Sequence, residues 1–292
     1  MKKLVECVPN FSEGKNLKIV NAIYNAAKSI KSVKVIELEY NSSHNRCLFT
    51  IIGTPKDVLE SVFQSIKVAT TLIDMNKHVG EHPRIGATDV VPFVPVSGTS
   101  MEDCIKVAQL LGRKVANELK IPVFLYESAA KKEENRNLAD IRKGQYEGLK
   151  INMKKPDYGP TKTHSTAGAI VIGARKYLIA YNVNLDTADV SIAKTIAKKI
   201  REKDGGLKAV KALGFKVDNV AQVSINLVDF EITNFDTVYM EIEKLAKEYH
   251  TTIKNSEIYG MIPLESLIRA IKSSFKVDNF NSEQVLEKRL FE

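Results

Sequence analysis

Apolar positions along this chain switch repeatedly between period two and helical spacing, and the switches outline its elements. Residues 4–8 form a short apolar run closed by Pro9-Asn10, which reads as a strand. Leu17, Val20, Tyr24 and Ala27 then fall on one helical face. β-rich stretches follow at residues 33–38 and 47–52. Thr54-Pro55 pairs a capping residue with proline at the first helical position, and Val58, Val62, Ile66, Ala69 and Ile73 continue the stripe. The pattern predicts that this helix runs to just before Gly80, with His78 in its last turn and Gly80 as a C-cap. Residues 90–96, broken by Pro92 and Pro95, predict a short or edge strand. Ser100-x-x-Asp103 resembles a capping box for a helix carrying Cys104, Ala108, Leu111 and Val115, and residues 122–126 return as a strand.

Periodicity fades over residues 130–167, which are polar and basic and carry Gly144, Gly148, Pro156, Gly159 and Pro160. A structureless stretch of this length inside a domain is more often functional than connecting, and one short helix is expected around residues 138–142. From Gly168 a strand is expected to run to Leu185. A helix follows with Val190, Ala193, Ala197 and Ile200 inward, then strands near 215–217 and 221–230. A helix with Val238, Ile242, Leu245 and Tyr249, a strand near Ile258 and a last helix from Leu264 complete the chain. This β-α-β-β-α-β order is that of a ferredoxin-like unit, and the first half repeats it with an added helix and strand. The expected class is α+β: two ferredoxin-like subdomains related by duplication, residues 1–177 and 178–292, with their sheets facing across a ligand groove. Asn182, Asn184, Gln222, Ser224 and Asn226 would line one sheet face. That face is either solvated or the wall of such a groove.

Composition narrows the function classes. The 43 basic and 35 acidic residues leave a net charge of +8, which favours acidic partners, whether nucleic acid or small polyanions. No RNA-binding aromatic signature, Walker motif or G-x-G-x-x-G fingerprint occurs, so nucleic acid is not the expected partner. Cys7, Cys47 and Cys104 are far apart and form no C-x-x-C pair, which predicts reduced buried thiols in a cytoplasmic protein. No apolar run approaches the roughly 20 residues of a membrane span, and the N-terminus does not read as a signal sequence.

The densest chemistry is the string from His78 to Val90, HVGEHPRIGATDV. Its first five residues match H-x-x-E-H, an inverted zinc-protease pattern. Metal ligation at that spacing needs a helix, and Gly80 and Pro83 oppose one at His82, so no metal site is expected. His82, between Glu81 and Pro83-Arg84, reads either as a proton-transfer group or as a loop-packing residue. His44-Asn45-Arg46 suits recognition of a carboxylate or polar heterocycle, or is a hairpin turn with a solvated arginine. The stretch from Asp157 through Lys162 and His164 to Gly168 either wraps an anionic ligand or links two elements.

Several strings, in order, resemble one family. Val5-Glu6-Cys7-Val8-Pro9-Asn10-Phe11-Ser12-Glu13-Gly14 is similar to the opening of the formiminotransferase family. Ile73-Asp74-Met75, Gly80-Glu81-His82-Pro83-Arg84 and Gly86-Ala87-Thr88-Asp89-Val90 resemble its central signature. Asp157-Tyr158-Gly159-Pro160, Gly173-Ala174-Arg175-Lys176 and Ala221-Gln222-Val223-Ser224 to Asp229-Phe230 extend the resemblance over nearly the whole chain. The resemblance implies a folate-binding tunnel between two ferredoxin-like subdomains, in a homodimer. It implies transfer of a formimino group from N-formimino-L-glutamate to tetrahydrofolate as co-substrate, with no metal.

His82 matches the family's catalytic histidine. Gly159, Pro160, Thr161, Lys162, Thr163, His164, Ser165, Thr166, Ala167 and Gly168 match its folate-binding stretch. Arg46 and Arg84, with Glu39 and Asn45, are the expected donor ligands, the arginines for carboxylates and Glu81 as a partner that orients His82. Two positions depart from the animal relatives: Ala167 stands where they carry Trp, and Glu39 where they carry Asp. The first implies weaker stacking on a pterin and the second a re-aimed polar contact. The animal relatives also carry a following cyclodeaminase domain, whose activity is not expected of this chain. Formiminoglutamate, formiminoglycine, or 5-formyltetrahydrofolate acting on glutamate all fit the resemblance, and a noncatalytic folate-binding module is the reading from another class.

Overall fold

In the computed structural model, which describes residues 2–290, the chain divides into two units, Met1–Arg175 and Lys176–Glu292. The first unit opens with β1 (Leu4–Cys7) and β2 (Asn10–Phe11), two pieces of one strand track interrupted at Val8-Pro9. Helix α1 (Leu17–Lys28) starts at Asn16, whose side chain accepts the Lys18 N–H. Strands β3 (Lys34–Asn41) and β4 (Arg46–Gly53) form a hairpin, and α2 (Pro55–Leu72) is capped by Thr54. Strand β5 (Thr88–Ser97) pairs with β1 and β2, which in turn pair with β4. Counting β1 and β2 as one track, the order is β3, β4, the first track, β5, so the fourth strand lies beside the first. That is the ferredoxin-like arrangement.

The unit then adds α3 (Met101–Leu119), β6 (Val123–Glu127), α4 (Leu138–Ile141), α5 (Gln145–Ile151) and β7 (Ile170–Ala174). Strand β7 inserts between β5 and β6, parallel to both. Side chains alternate across the sheet. Val5, Cys7, Phe11, Cys47, Phe49 and Ile51 pack toward the helical core with residues of α1, α2 and α3, and Phe11 stacks on Phe49 with ring centroids 5.4 Å apart. Val90, Phe124 and Val171 form a second cluster with Ile141 and Leu149 of α4 and α5.

The second unit contains β8 (Ile179–Leu185), α6 (Val190–Ile200), β9 (Val210–Val217), β10 (Val220–Leu227), α7 (Phe235–Glu248), β11 (Ile253–Tyr259), α8 (Leu264–Phe275) and α9 (Leu286–Leu290). Its strand order, β11-β8-β10-β9, repeats the ferredoxin-like core of the first unit. Val183, Val223 and Ile225 pack with Ile196 and Ile242 in its core. On the other face, in register, Gln222 donates to Asn184 at 2.9 Å and Asn184 donates to Asn255 at 2.8 Å, a lateral amide chain. The molecule is therefore α+β with two sheets of related topology. No helix among the described residues is long and apolar enough to cross a membrane, and Cys7, Cys47 and Cys104 are buried free thiols.

Four expectations are corrected. Helix α2 ends at Leu72, because Asp74 accepts the Asn76 N–H in a turn and the Met75 amide bonds to Thr166 O at 2.8 Å. His78 and Gly80 therefore lie outside any helix. Strand β5 is a long internal strand, and Pro95 is accommodated where the register against β1 shifts in a bulge. The continuous strand expected from Gly168 to Leu185 is two strands, β7 and β8, separated by residues 175–178. Helix α5 was not anticipated in the aperiodic segment.

Candidate functional site

The site begins with a close approach of two loops. At Gly80 a Cβ would stand 2.4 Å from His44 O and 2.7 Å from the Asn45 Cβ, so only glycine lets this backbone lie against the β3–β4 turn. The Glu81 N–H donates to Ser43 O at 3.3 Å. Asn45 takes the left-handed conformation (φ 49°) that asparagine tolerates. Its side chain accepts the Gly14 N–H at 2.9 Å and donates to Val79 O at 3.0 Å, and its carbonyl is 3.0 Å from His78 Nε2. Asn45 is thus a buried strut joining three segments.

This approach brings His82 to Arg46, with Arg46 Nη1 donating to His82 Nε2 at 3.0 Å. A guanidinium cannot accept a hydrogen bond, so Nε2 must be unprotonated and the imidazole neutral. Burial, and then the charge of Arg46 and of Arg142, push the His82 pKa down to about 3. Arg46 itself is weakened as an acid-base cation by burial and by Arg142, and supported by Glu39 and Asp89. Glu39 is exposed and shares the Arg46 face of the hairpin, since Asn41 pairs with Arg46 and Glu39 with Leu48. Glu81 is directed elsewhere: its carboxylate lies 3.9 Å from His44 Nε2. Arg46, rather than Glu81, orients His82.

Arg84 is only 6% exposed. It donates to His78 Nδ1 at 3.1 Å, to Gln145 at 2.9 Å, and in a fork to both oxygens of Glu147 at 2.7 and 2.8 Å. Its N–H groups are spent on fastening α5. The side-chain polar atoms of Arg84 and Asn45, both expected donor ligands, are hydrogen-bonded within the protein. His78 donates from Nε2 and accepts at Nδ1, so it too is neutral, and burial lowers its pKa. With both His78 nitrogens engaged and no helix between His78 and His82, the geometry of a zinc H-x-x-E-H pair is not formed.

A residue the sequence reading missed joins this cluster. Arg142, in the turn after α4, pairs through Nη2 with Asp89, a carboxylate only 2% exposed that also accepts the Ile85 N–H at 2.8 Å. A lone arginine in an aperiodic basic segment carries no sequence signal of this placement.

The stretch Gly159–Gly168 splits in two. Residues 159–163, with Pro160, Thr161 and Lys162 exposed, open from the left-handed Gly159 (φ +88°). His164 then closes a tight loop: its Nδ1 accepts the Thr166 and Ala167 N–H groups, and its backbone pairs with Gly168 in both directions. Ser165 O accepts from Asn76 at 2.8 Å. Ala167 buries its methyl in the helical core and accepts the Ala87 N–H at 2.9 Å. The side chain at position 167, where the resemblance implies weaker stacking on a pterin, faces the core. Gly86 and Gly168 form a bridge in which a Cβ on Gly86 would stand 1.9 Å from Ala169 O. The stretch thus ends against residues 85–87, immediately beyond His82.

The chain's two halves match family models in order. Residues 4–175 match the model described as the formiminotransferase domain, N-terminal subdomain, and residues 180–289 match the formiminotransferase domain. A glutamate formimidoyltransferase of Streptococcus pyogenes serotype M1 is 42% identical over 297 residues, covering 99% of each chain. One from Thermoplasma acidophilum is 43% identical, covering 98% of this chain and 97% of its own. The formimidoyltransferase-cyclodeaminase of Sus scrofa is 42% identical over 92% of this chain but only 52% of its own length. By sequence, the chain belongs to the formiminotransferase family.

Proposed function

We propose that this chain is a glutamate formimidoyltransferase, moving the formimino group of N-formimino-L-glutamate to N5 of tetrahydrofolate. The observation that carries the reading is a neutral imidazole held against a half-buried arginine beside the Gly159–Gly168 stretch. Full-length relatives bearing that name support the choice of donor over formiminoglycine and over formyl transfer. The reading carries with it a cytoplasmic homodimer, as the family implies.

In this reading N5 attacks the amidine carbon and a C–N bond forms. His82 Nε2 takes the proton that N5 loses. It then delivers that proton to the departing glutamate nitrogen as the old C–N bond breaks, so the proton count closes on one residue. Nε2 cannot act while it accepts from Arg46. A donor carboxylate competes for that guanidinium through a stronger charge-assisted pair. Burial is the first cause of the lowered His82 pKa, and pairing Arg46 neutralises the second, so the pKa rises from its resting value. Residues 159–168 are the proposed folate contacts, with the exposed Lys162 proposed to meet its carboxylates and Glu39 the donor.

The purified protein is tested with formiminoglutamate or formiminoglycine plus tetrahydrofolate, and with 5-formyltetrahydrofolate plus glutamate. Formiminoglutamate should be the preferred donor. His82→Ala should lower kcat by about 10²–10⁴-fold while tetrahydrofolate binding, measured by calorimetry, is retained. Undiminished turnover in His82→Ala would remove His82 from the mechanism.

A further inference from the structure

Three buried or partly buried arginines surround this site, and they differ in how far they are satisfied. Arg84 is saturated by Glu147, Gln145 and His78. Arg46 donates to His82 from Nη1. Arg142 pairs with Asp89 through Nη2, yet its Nε is buried without a hydrogen-bond partner among the described residues. A buried guanidinium N–H without an acceptor is costly, so such a group in a native site marks a position where a bound acceptor belongs. Arg142 is also close enough for its charge to act on both Arg46 and His82. The charges facing the cluster are Glu39 from β3, Arg46 from β4, Asp89 from β5 and Arg142 after α4, with His44 and His78 nearby. Asp89 is already shared between Arg142 and the Ile85 amide, and Glu39 is exposed.

We propose that Arg142 is the second arginine of a two-guanidinium site that selects a dicarboxylate donor, Arg46 taking one carboxylate and Arg142 the other. The inference rests on the formimidoyltransferase reading and adds to it the group that chooses among donors. Formiminoglutamate carries two carboxylates and can engage both cations. Formiminoglycine carries one and leaves the buried Arg142 Nε without an acceptor. Discrimination by an unpaired buried polar group is stronger than discrimination by size. The fork of arginine matters as well as its charge, because a lysine presents a point charge without the planar pair of donors.

The test compares wild type, Arg142→Lys and Arg142→Gln with formiminoglutamate and formiminoglycine, tetrahydrofolate being saturating. A binding arm measures glutarate against butyrate by calorimetry and needs no turnover. For both variants KM for formiminoglutamate should rise by about 10–100-fold, the worth of a charged hydrogen bond, with kcat changed far less. In both variants the preference for formiminoglutamate over formiminoglycine should shrink by about tenfold or more, since a monocarboxylate never used the lost fork. Glutarate binding should weaken in parallel and butyrate binding should not. Arg142→Lys retains the pairing with Asp89, so it separates a loss of recognition from a loss of folding. Equal losses for both donors, or glutarate binding unchanged in both variants, would overturn the proposal and leave Arg142 as a strut for Asp89. If wild type transfers from neither donor, the enzymatic reading fails, while the glutarate arm still decides the role of Arg142.

Discussion

His82 accepts a hydrogen bond from a group that can never accept one in return, and this single contact defines its resting state. Its pKa near 3 lies below the ordinary histidine value of 6.5. Between those values an unfolded chain would bind a proton that the folded chain does not. The contribution to stability is therefore complete above pH 6.5 and is lost as the pH falls toward 3. The slope has a ceiling of about 1.4 kcal/mol per pH unit, reduced here because His82 is partly exposed and solvent screens it. Imidazole NMR of the free protein should show no His82 titration between pH 5 and 8, and saturating glutamate should move its midpoint upward. The Tm of wild type should also fall more steeply from pH 6.5 to 4.5 than that of His82→Asn. A midpoint near 6.5 in the free protein would contradict the Arg46 contact. His82 itself was legible in the sequence as a candidate. Its partner was not, because Arg46 lies far back along the chain at the start of β4 and Glu81 was the nearer choice.

Among the elements, those with local signals were legible and those built on distant bonds were not. The starts of α1, α2 and α3 follow from Asn16, Thr54 and Ser100, each of which bonds within three residues. The end of α2 depends on Thr166 O receiving the Met75 amide, and α5 depends on Arg84 holding Glu147. Neither bond leaves a trace in periodicity. The loop that carries His82 depends in turn on Gly80. Gly80→Ala should force the 79–81 backbone away from His44, destabilise the protein by about 1–3 kcal/mol and lower kcat/KM by more than about tenfold, checked by thermal melts and steady-state kinetics. Wild-type kinetics in that variant would show that the two loops need not touch. Asn45→Ala, which removes two side-chain hydrogen bonds, should cost about 2–3 kcal/mol in urea unfolding.

For the whole molecule, the strand order repeated in both units was foreseen from element order alone, since β-α-β-β-α-β leaves few arrangements of four strands. The net charge of +8 acts at this scale too, favouring anionic substrates before any contact is made. Raising the ionic strength from 0.05 to 0.5 M should increase KM for both substrates several-fold while kcat changes little, because screening weakens encounter more than the chemistry within the site. A KM independent of salt would show that the surplus charge plays no part in capture.

Periodicity, caps and ordered strings in the sequence by themselves determined the α+β class, the family and the histidine on which the reaction is proposed to turn. Only the tertiary structure decided which polar residues in those strings have groups to offer a ligand. In the folded chain the side chains of Asn45 and Arg84 are hydrogen-bonded as a strut and a clamp, and that of Ala167 lies in the core. Arg142 carries no motif yet stands with Arg46 and His82. The reason is physical: hydrogen bonding and charge coupling depend on distance through a partly dry interior, and distance in space is the one quantity that spacing along a chain does not contain.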